Sequence, residues 1–152
     1  HTNDAAGAFT RLIDMGVEPF LVASSLLANM AQRLVRRLCE KCKQPYHPTA
    51  DEAAQLEVTS EFVERAGGIF YRATGCDHCK HLGYRGRLGI YELLMVSNDV
   101  RHLVMGRSDA NTIKRQAVAE GMITLRQDGA AKVARGVTSV DEILRVTQKE
   151  VA

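Results

Sequence analysis

Apolar residues recur at Phe9, Leu12 and Ile13 inside an otherwise small or polar run. That spacing puts them on one face of a helix over residues 4–15, with Gly16 suited to end it. Pro19 fits the first turn of a second helix. Residues 20–30 are apolar almost all round, the pattern of a buried helix. Imperfect alternation over 32–38 predicts a strand running into Cys39. Pro45 and Pro48 mark a turn, and Thr49-x-x-Glu52 is a capping box opening a short helix. Ser60 opens another, which ends at Gly67-Gly68. Residues 69–73 are rich in β-formers and predict a strand. Gly83, Gly86 and Gly89 predict a hairpin or turns with residues at positive φ, followed by a last strand over 90–95. Four helices then follow the rule of a polar cap and a glycine stop. Ser97 opens the first, which stops at Gly106. Ser108 or Asp109 opens the second, which stops at Gly121. Thr124-x-x-Gln127 opens the third, which stops at Gly136, and Ser139-x-x-Glu142 opens the last. The expected fold class is α+β and mostly helical. Residues 1–38 read as the end of a larger α/β domain, 39–87 as a cysteine-bearing domain and 88–152 as a helical bundle.

Composition narrows this only a little. A chain of 152 residues allows one ordinary domain or two small ones. Aromatics are 5% and Trp is absent, so the core must rest on Leu, Val, Ile, Ala and Met. A net charge of +2 is too balanced to argue for nucleic acid by itself. No run approaches the ~18 apolar residues of a membrane span, and no signal peptide is visible. The chain opens at His1 without Met, so it is expected to be a fragment or a processed form, with parts upstream.

The cysteines change the picture most. All four fall in two pairs, Cys39-x-x-Cys42 and Cys76-x-x-Cys79, with 33 residues between the pairs. Each CxxC sets two thiolates on one tight turn, and two turns supply the tetrahedral sulfur shell of a structural Zn²⁺. Such a shell leaves no vacancy for substrate, which points to scaffolding. The alternatives are a redox dithiol, which explains one pair but not two, and plain buried cysteines. His47, His78 and His81 are near enough to replace a sulfur, but fit better as surface residues or hydrogen-bond donors around the site. The basic cluster Arg33, Arg36, Arg37, Lys41 and Lys43 straddles the first pair. It suits phosphate contact less well than a solvated face or electrostatic support for the thiolates. His1-Thr2-Asn3-Asp4 precedes a helix, where Asn3 or Asp4 suits an N-cap, and His1 alone carries little. No G-x-x-x-x-G-K-[ST], G-x-S-x-G or H-E-x-x-H is present. The chain alone shows no recognisable means of catalysis.

Four long strings then carry a resemblance: HTNDAAGAFTRLIDMGVEPFLVASSL, AQRLVRRLCEKCKQPY, YRATGCDHCKHLGYRGRLGIYELL and ITLRQDGAAKVARGVTSVDEILRVT. Through them the chain resembles the C-terminal part of the type II secretion assembly ATPases, with the type IV pilus assembly ATPases as close relatives. The segment around 49–68 matches least. The resemblance implies a hexameric ATPase with a RecA-like core, a zinc-binding tetracysteine domain and a small helical region. On it, residues 1–38 end the RecA-like domain and Cys39, Cys42, Cys76 and Cys79 match the four zinc ligands. His1-Thr2-Asn3 matches the His box, whose histidine lies near the γ-phosphate side of the nucleotide, so His1 becomes a candidate nucleotide sensor. Arg11 falls in the helix after that box without an assigned role. The Walker A loop, Asp box and Walker B segment would precede His1. The parent protein is therefore expected to hydrolyse ATP with Mg²⁺ and this chain is not.

The partners implied are the upstream ATPase domain, the other subunits of a homo-hexamer and the inner-membrane secretion platform, with no nucleic acid. The implied place is cytoplasmic, peripheral to the inner membrane, and the implied output is pseudopilus assembly. The wording YRATGC and GYRGRLGIYELL favours secretion over pilus assembly. The alternatives are a type IV pilus assembly ATPase, a zinc-ribbon module for nucleic acid, and a structural adaptor docking onto a membrane protein.

Overall fold

The computed structural model describes residues 2–147, which divide into two compact units, each assembled from separated stretches of chain. The first comprises residues 2–32 and Tyr91–Leu125, the second Arg33–Ile90 and residues 126–147. In chain order the elements are α1 (Ala5–Asp14), α2 (Pro19–Ser25), β1 (Ala28–Leu38), β2 (Gln44–Tyr46), α3 (Ala50–Gln55), α4 (Ser60–Arg65) and β3 (Phe70–Arg72). A 3-10 turn over Asp77–Cys79 follows, then β4 (Tyr84–Met95), α5 (Asn98–Met105), α6 (Ala110–Ala119), α7 (Leu125–Ala134) and α8 (Val140–Val146). The protein is thus a mixed α/β structure. β1 pairs with β4, and β2 pairs antiparallel with β3 in the register Gln44↔Arg72, Pro45↔Tyr71 and Tyr46↔Phe70. No helix among the described residues is long and apolar enough to cross a membrane.

In the first unit, α1 packs on α6, α6 on α5, and α5 on α2. Phe9, Val22, Ala23, Leu94, Val100, Val104 and Ile113 form its buried core, with Leu12 and Ile13 packed at the edge. The predicted face of α1 is therefore the one it buries. Asp4 is its N-cap, accepting a 2.9 Å hydrogen bond from the Gly7 amide. Ser97 and Asp109 cap α5 and α6 in the same way.

The helix expected over 20–30 is a correction. α2 stops at Ser25 and the chain is already strand at Ala28. Phe20, Leu27 and Met30 are 59%, 74% and 60% exposed rather than buried. Ser24 turns its hydroxyl onto the Leu21 carbonyl (3.4 Å), and Leu26 is extended. Serine and asparagine at 24, 25 and 29 are weak helix formers. Asn29 finds its partner from the strand, donating to the Ala5 carbonyl at 2.6 Å. β1 therefore begins four residues before the predicted 32. Of the hairpin or turns with residues at positive φ expected at Gly83, Gly86 and Gly89, the hairpin is a second correction, because Tyr84–Met95 is one strand, while Gly83 does take positive φ (+75°). Gly86, at φ +80°, is accommodated within that strand.

In the second unit, Val35, Leu56, Phe70, Ile90, Val133 and Ile143 are fully buried. Thr49 and Glu52 form the expected capping box of α3, while α4 is capped by Thr59, one residue before the predicted Ser60. β2 was hidden by its proline, which a two-stranded ribbon tolerates. α7 and α8 meet closely, since a Cβ on Gly129 would stand 2.7 Å from Ile143. Gly136, at φ +66°, sits against the Tyr71 ring, where a Cβ would also come within 2.7 Å. The four C-terminal helices divide between the units, α5 and α6 in the first and α7 with α8 in the second.

Candidate metal centre

The four cysteines converge. Their sulfurs all lie within 4.8 Å of one another. Sγ–Sγ separations are 4.0 Å for Cys39–Cys76 and 3.8 Å for both Cys42–Cys79 and Cys76–Cys79. A regular tetrahedron with Zn–S bonds of ~2.3 Å has edges of ~3.8 Å, so these residues fit a tetrahedral thiolate-bound ion. Backbone turns present the sulfurs. After Cys39, the amides of Cys42 and Lys43 return to the Cys39 carbonyl at 3.2 and 2.9 Å. After Cys76, the amides of Cys79 and His81 return to the Cys76 carbonyl at 3.1 and 2.8 Å, with Lys80 and His81 at positive φ. Two cross-links join the turns: the Cys39 amide donates to the Gly83 carbonyl (2.9 Å), and the Thr74 hydroxyl donates to the Cys42 carbonyl.

The amides of Cys76 and Gly83 both donate to Cys79 Sγ at 3.2 Å. Burial pushes the Cys79 thiol up, but these amides and the Cys42 and Cys76 thiols outweigh it and hold it at about 6. At Cys76 a backbone hydrogen bond from Cys79 pulls down, while burial and the thiols of Cys42 and Cys79 push it up to about 11. A divalent ion would release the remaining protons on binding. The histidines stay out of the sulfur set. His47 donates through Nδ1 to the Gly68 carbonyl (2.9 Å), His78 accepts from Arg85 (2.6 Å at Nε2), and His81 pairs with Asp77 (2.9 Å).

Two glycines immediately outside the motif set its shape, Gly75, which carries no local signal in the sequence, and Gly83, which reads there only as a turn residue. Gly75 is at φ +114°, and a Cβ there would stand 2.7 Å from the His81 carbonyl oxygen. Gly83 is at φ +75°, and its Cβ would meet Ala73 at 2.6 Å. Gly75→Ala is therefore expected to lower stability by about 2 kcal/mol or more and metal affinity about tenfold. Urea unfolding and a competitive chelator titration check this; unchanged values in both would contradict it.

The family model for the type II/IV secretion system protein matches residues 1–145. The chain belongs to the type II/IV secretion system protein family. It is 48% identical over 150 residues to the type II secretion system protein E of Pseudomonas aeruginosa, covering 99% of this chain and 29% of that protein. It is 47% identical to the type II secretion system ATPase E of Vibrio cholerae, covering 98% and 29%. It is also 42% identical to the type IV pilus assembly ATPase PilB of Thermus thermophilus, covering 97% and 16%. This secretion-family chain thus spans under a third of the length of the curated relatives it matches.

Arg36 and Lys43 of the basic cluster are engaged within the protein. Arg36 lies over the Tyr84 ring (4.1 Å to the centroid) and donates to Glu142 from its amide (2.9 Å), Nε (3.0 Å) and Nη2 (2.9 Å). Arg145 donates to both oxygens of the same carboxylate at 3.1 and 2.6 Å. Burial pushes the Glu142 carboxyl up, but the Arg145 and Arg36 hydrogen bonds win and hold it at about 2. Lys43 pairs with Glu40 (2.6 Å), donates to the Gly136 carbonyl (3.0 Å) and lies over the Tyr71 ring (5.0 Å). The cluster thus links the first CxxC to the Gly136–Arg145 region of this secretion-family fold. His1 lies outside the described residues. Arg11 lies in the last turn of α1, where its carbonyl accepts from the Met15 amide.

Proposed function

We propose that this chain is the C-terminal portion of a hexameric ATPase that couples ATP hydrolysis to pseudopilus assembly and protein export by type II secretion. The observation that carries the reading is the family match over residues 1–145, joined to a tetracysteine centre whose sulfur spacing fits a closed metal shell. Cys39, Cys42, Cys76 and Cys79 would hold a structural Zn²⁺. Bound there, the ion would supply four fixed bonds and charge compensation, with no open position for substrate. The second unit then acts as a brace. The turn amides orient the sulfurs, and Lys43 and Arg36 tie the first CxxC to the α7–α8 region.

Nucleotide chemistry belongs to segments preceding His1, which would hold ATP and Mg²⁺. His1 would report the state of the γ-phosphate. The partners are the upstream ATPase domain, neighbouring subunits and the inner-membrane platform, on its cytoplasmic side. The 42% identity to a pilus assembly ATPase favours, as second reading, the same motor driving pilus assembly. A nucleic-acid module draws less support, because Arg36 and Lys43 are spent on internal contacts.

The expected result is Mg-dependent ATP turnover by the full-length protein and none above background by this chain alone, which lacks a phosphate loop. A phosphate-release assay on both, at matched purity, checks this. Metal-dependent turnover by the isolated chain contradicts the division of labour; a full-length protein without turnover contradicts the ATPase reading.

A further inference from the structure

The four sulfurs of the metal centre are not equivalent. Cys39 and Cys79 are buried, at 1% and 4% exposure, while Cys42 and Cys76 are only half-buried. Each CxxC turn therefore contributes one sheltered cysteine and one open one. The backbone amides are shared as unevenly. Cys79 Sγ accepts from the Cys76 and Gly83 amides, both at 3.2 Å. The Cys79 amide is divided between the Cys76 carbonyl, at 3.1 Å, and the Cys76 sulfur. Among the described residues no amide donates to Cys42 Sγ. The two open sulfurs sit on different turns and lie within 4.8 Å of each other.

An N–H donor withdraws electron density from a thiolate, and burial bars the approach of a reagent. With a divalent cation bound, all four sulfurs are deprotonated. Exposure and hydrogen bonding then decide which of them an electrophile meets. Cys79 has both protections and Cys39 is covered. Cys76 is open with one shared amide, and Cys42 has neither protection.

We propose that Cys42 and Cys76 are a modification site for hydrogen peroxide, at which oxidation joins the two CxxC turns by a disulfide and frees the metal. The proposal rests on the metal-binding reading of the quartet given above. The Cys42 thiolate attacks the peroxide O–O bond, becomes a sulfenic acid and expels hydroxide. The Cys76 thiolate then attacks the Cys42 sulfur, forms the S–S bond and expels a second hydroxide. Two protons from solvent turn the hydroxides into water. The thiolates have lost two electrons and the peroxide has gained them. Cys39 and Cys79 alone no longer make a closed shell, so the ion is given up. The new bond ties together the same two turns, and a dithiol reductant reverses it.

The test uses the full-length protein, its metal content fixed first by elemental analysis. In singly modified wild-type protein, iodoacetamide should have reacted at Cys42 about ten times as often as at Cys39 or Cys79, read by mass spectrometry. Hydrogen peroxide should give a Cys42–Cys76 disulfide, with about one ion per chain released to a chromophoric indicator in step with it. Dithiothreitol with Zn²⁺ should restore both metal and thermal midpoint. The oxidised protein should melt above the reduced, metal-stripped one, because it alone keeps a covalent link between the turns. Equal alkylation of the four cysteines overturns the proposal, as does any other disulfide, or metal release without a disulfide. A protein that never holds metal refutes the metal reading and the proposal together. A metal-bound protein with four equally reactive sulfurs refutes the proposal alone.

Discussion

Substituting Cys79 by serine, or stripping the metal with a chelator, is expected to lower the thermal midpoint by about 10 °C or more. The reason is local. The cysteines bridge an excursion from Cys39 to Cys79 whose own helices α3 and α4 are only six residues each. Helices of that length are marginal without tertiary support. The hydrogen bonds joining the two CxxC turns are few, the Cys39 amide to the Gly83 carbonyl and the Thr74 hydroxyl to the Cys42 carbonyl. Metal binding free energy is folding free energy in such a site, on the order of 10 kcal/mol for small zinc domains. Loss of even 4 kcal/mol moves the midpoint of a chain this size by about 10 °C. Cys79 is the most damaging single choice because its sulfur also accepts from the Cys76 and Gly83 amides. Elemental analysis gives the metal content, calorimetry the midpoint, and hydrogen exchange should place the loosening in residues 70–84. An unchanged midpoint after verified metal loss would sink the brace reading.

Glu142→Ala should cost about 2–3 kcal/mol, below the range for a pair buried on both sides because the two arginines are half exposed. The carboxylate is completely buried and takes five hydrogen bonds from Arg36 and Arg145. Its removal leaves the Arg36 amide without its carboxylate partner and returns both half-exposed guanidinium groups to solvent. The pH dependence follows in sign. The folded carboxyl titrates at about 2 against an ordinary 4.5, so its contribution is fully present above 4.5 and is lost as pH falls toward 2. The shift alone corresponds to about 3 kcal/mol. Solvent at the half-exposed guanidinium groups reduces that to about 2 kcal/mol. Urea unfolding of wild type and Glu142→Gln at pH 7, 4.5 and 3 isolates this contribution from acid loss of the metal, because both proteins share the cysteines. The stability gap should narrow steadily below pH 4.5. A gap that stays constant down to pH 3 would show that Glu142 does not carry the titration.

Local rules reached far into this chain. The caps at Asp4, Thr49, Ser97, Asp109 and Ser139 are side-chain hydrogen bonds to amides three residues on, and short-range chemistry of that kind is written in a few adjacent letters. The same holds for the CxxC turns. The type II/IV family was also legible, because long matching strings cover most of the chain. What failed locally were segments whose fate depends on a distant partner. Residues 28–30 carry no strand signal strong enough to oppose their apolar neighbours, and they are strand because β4 pairs with them. Gly83, Gly86 and Gly89 read as turns, yet β4 runs straight through two of them.

Ser139-x-x-Glu142 is the clearest division between the two levels. Its serine caps α8 as the spacing demands, but the glutamate does not fold back to complete a capping box. It reaches Arg36, more than a hundred residues away, because a buried carboxylate gains more from two guanidinium groups than from one neutral amide. The sequence by itself determined the elements' caps, the metal-binding letters and the family. Only the tertiary structure decided that four sulfurs meet within one ion's reach, that Gly75 and Gly83 must lack side chains, and that Glu142 is a buried anchor. Burial and partnership are properties of residues far apart in the chain, and no local pattern encodes them.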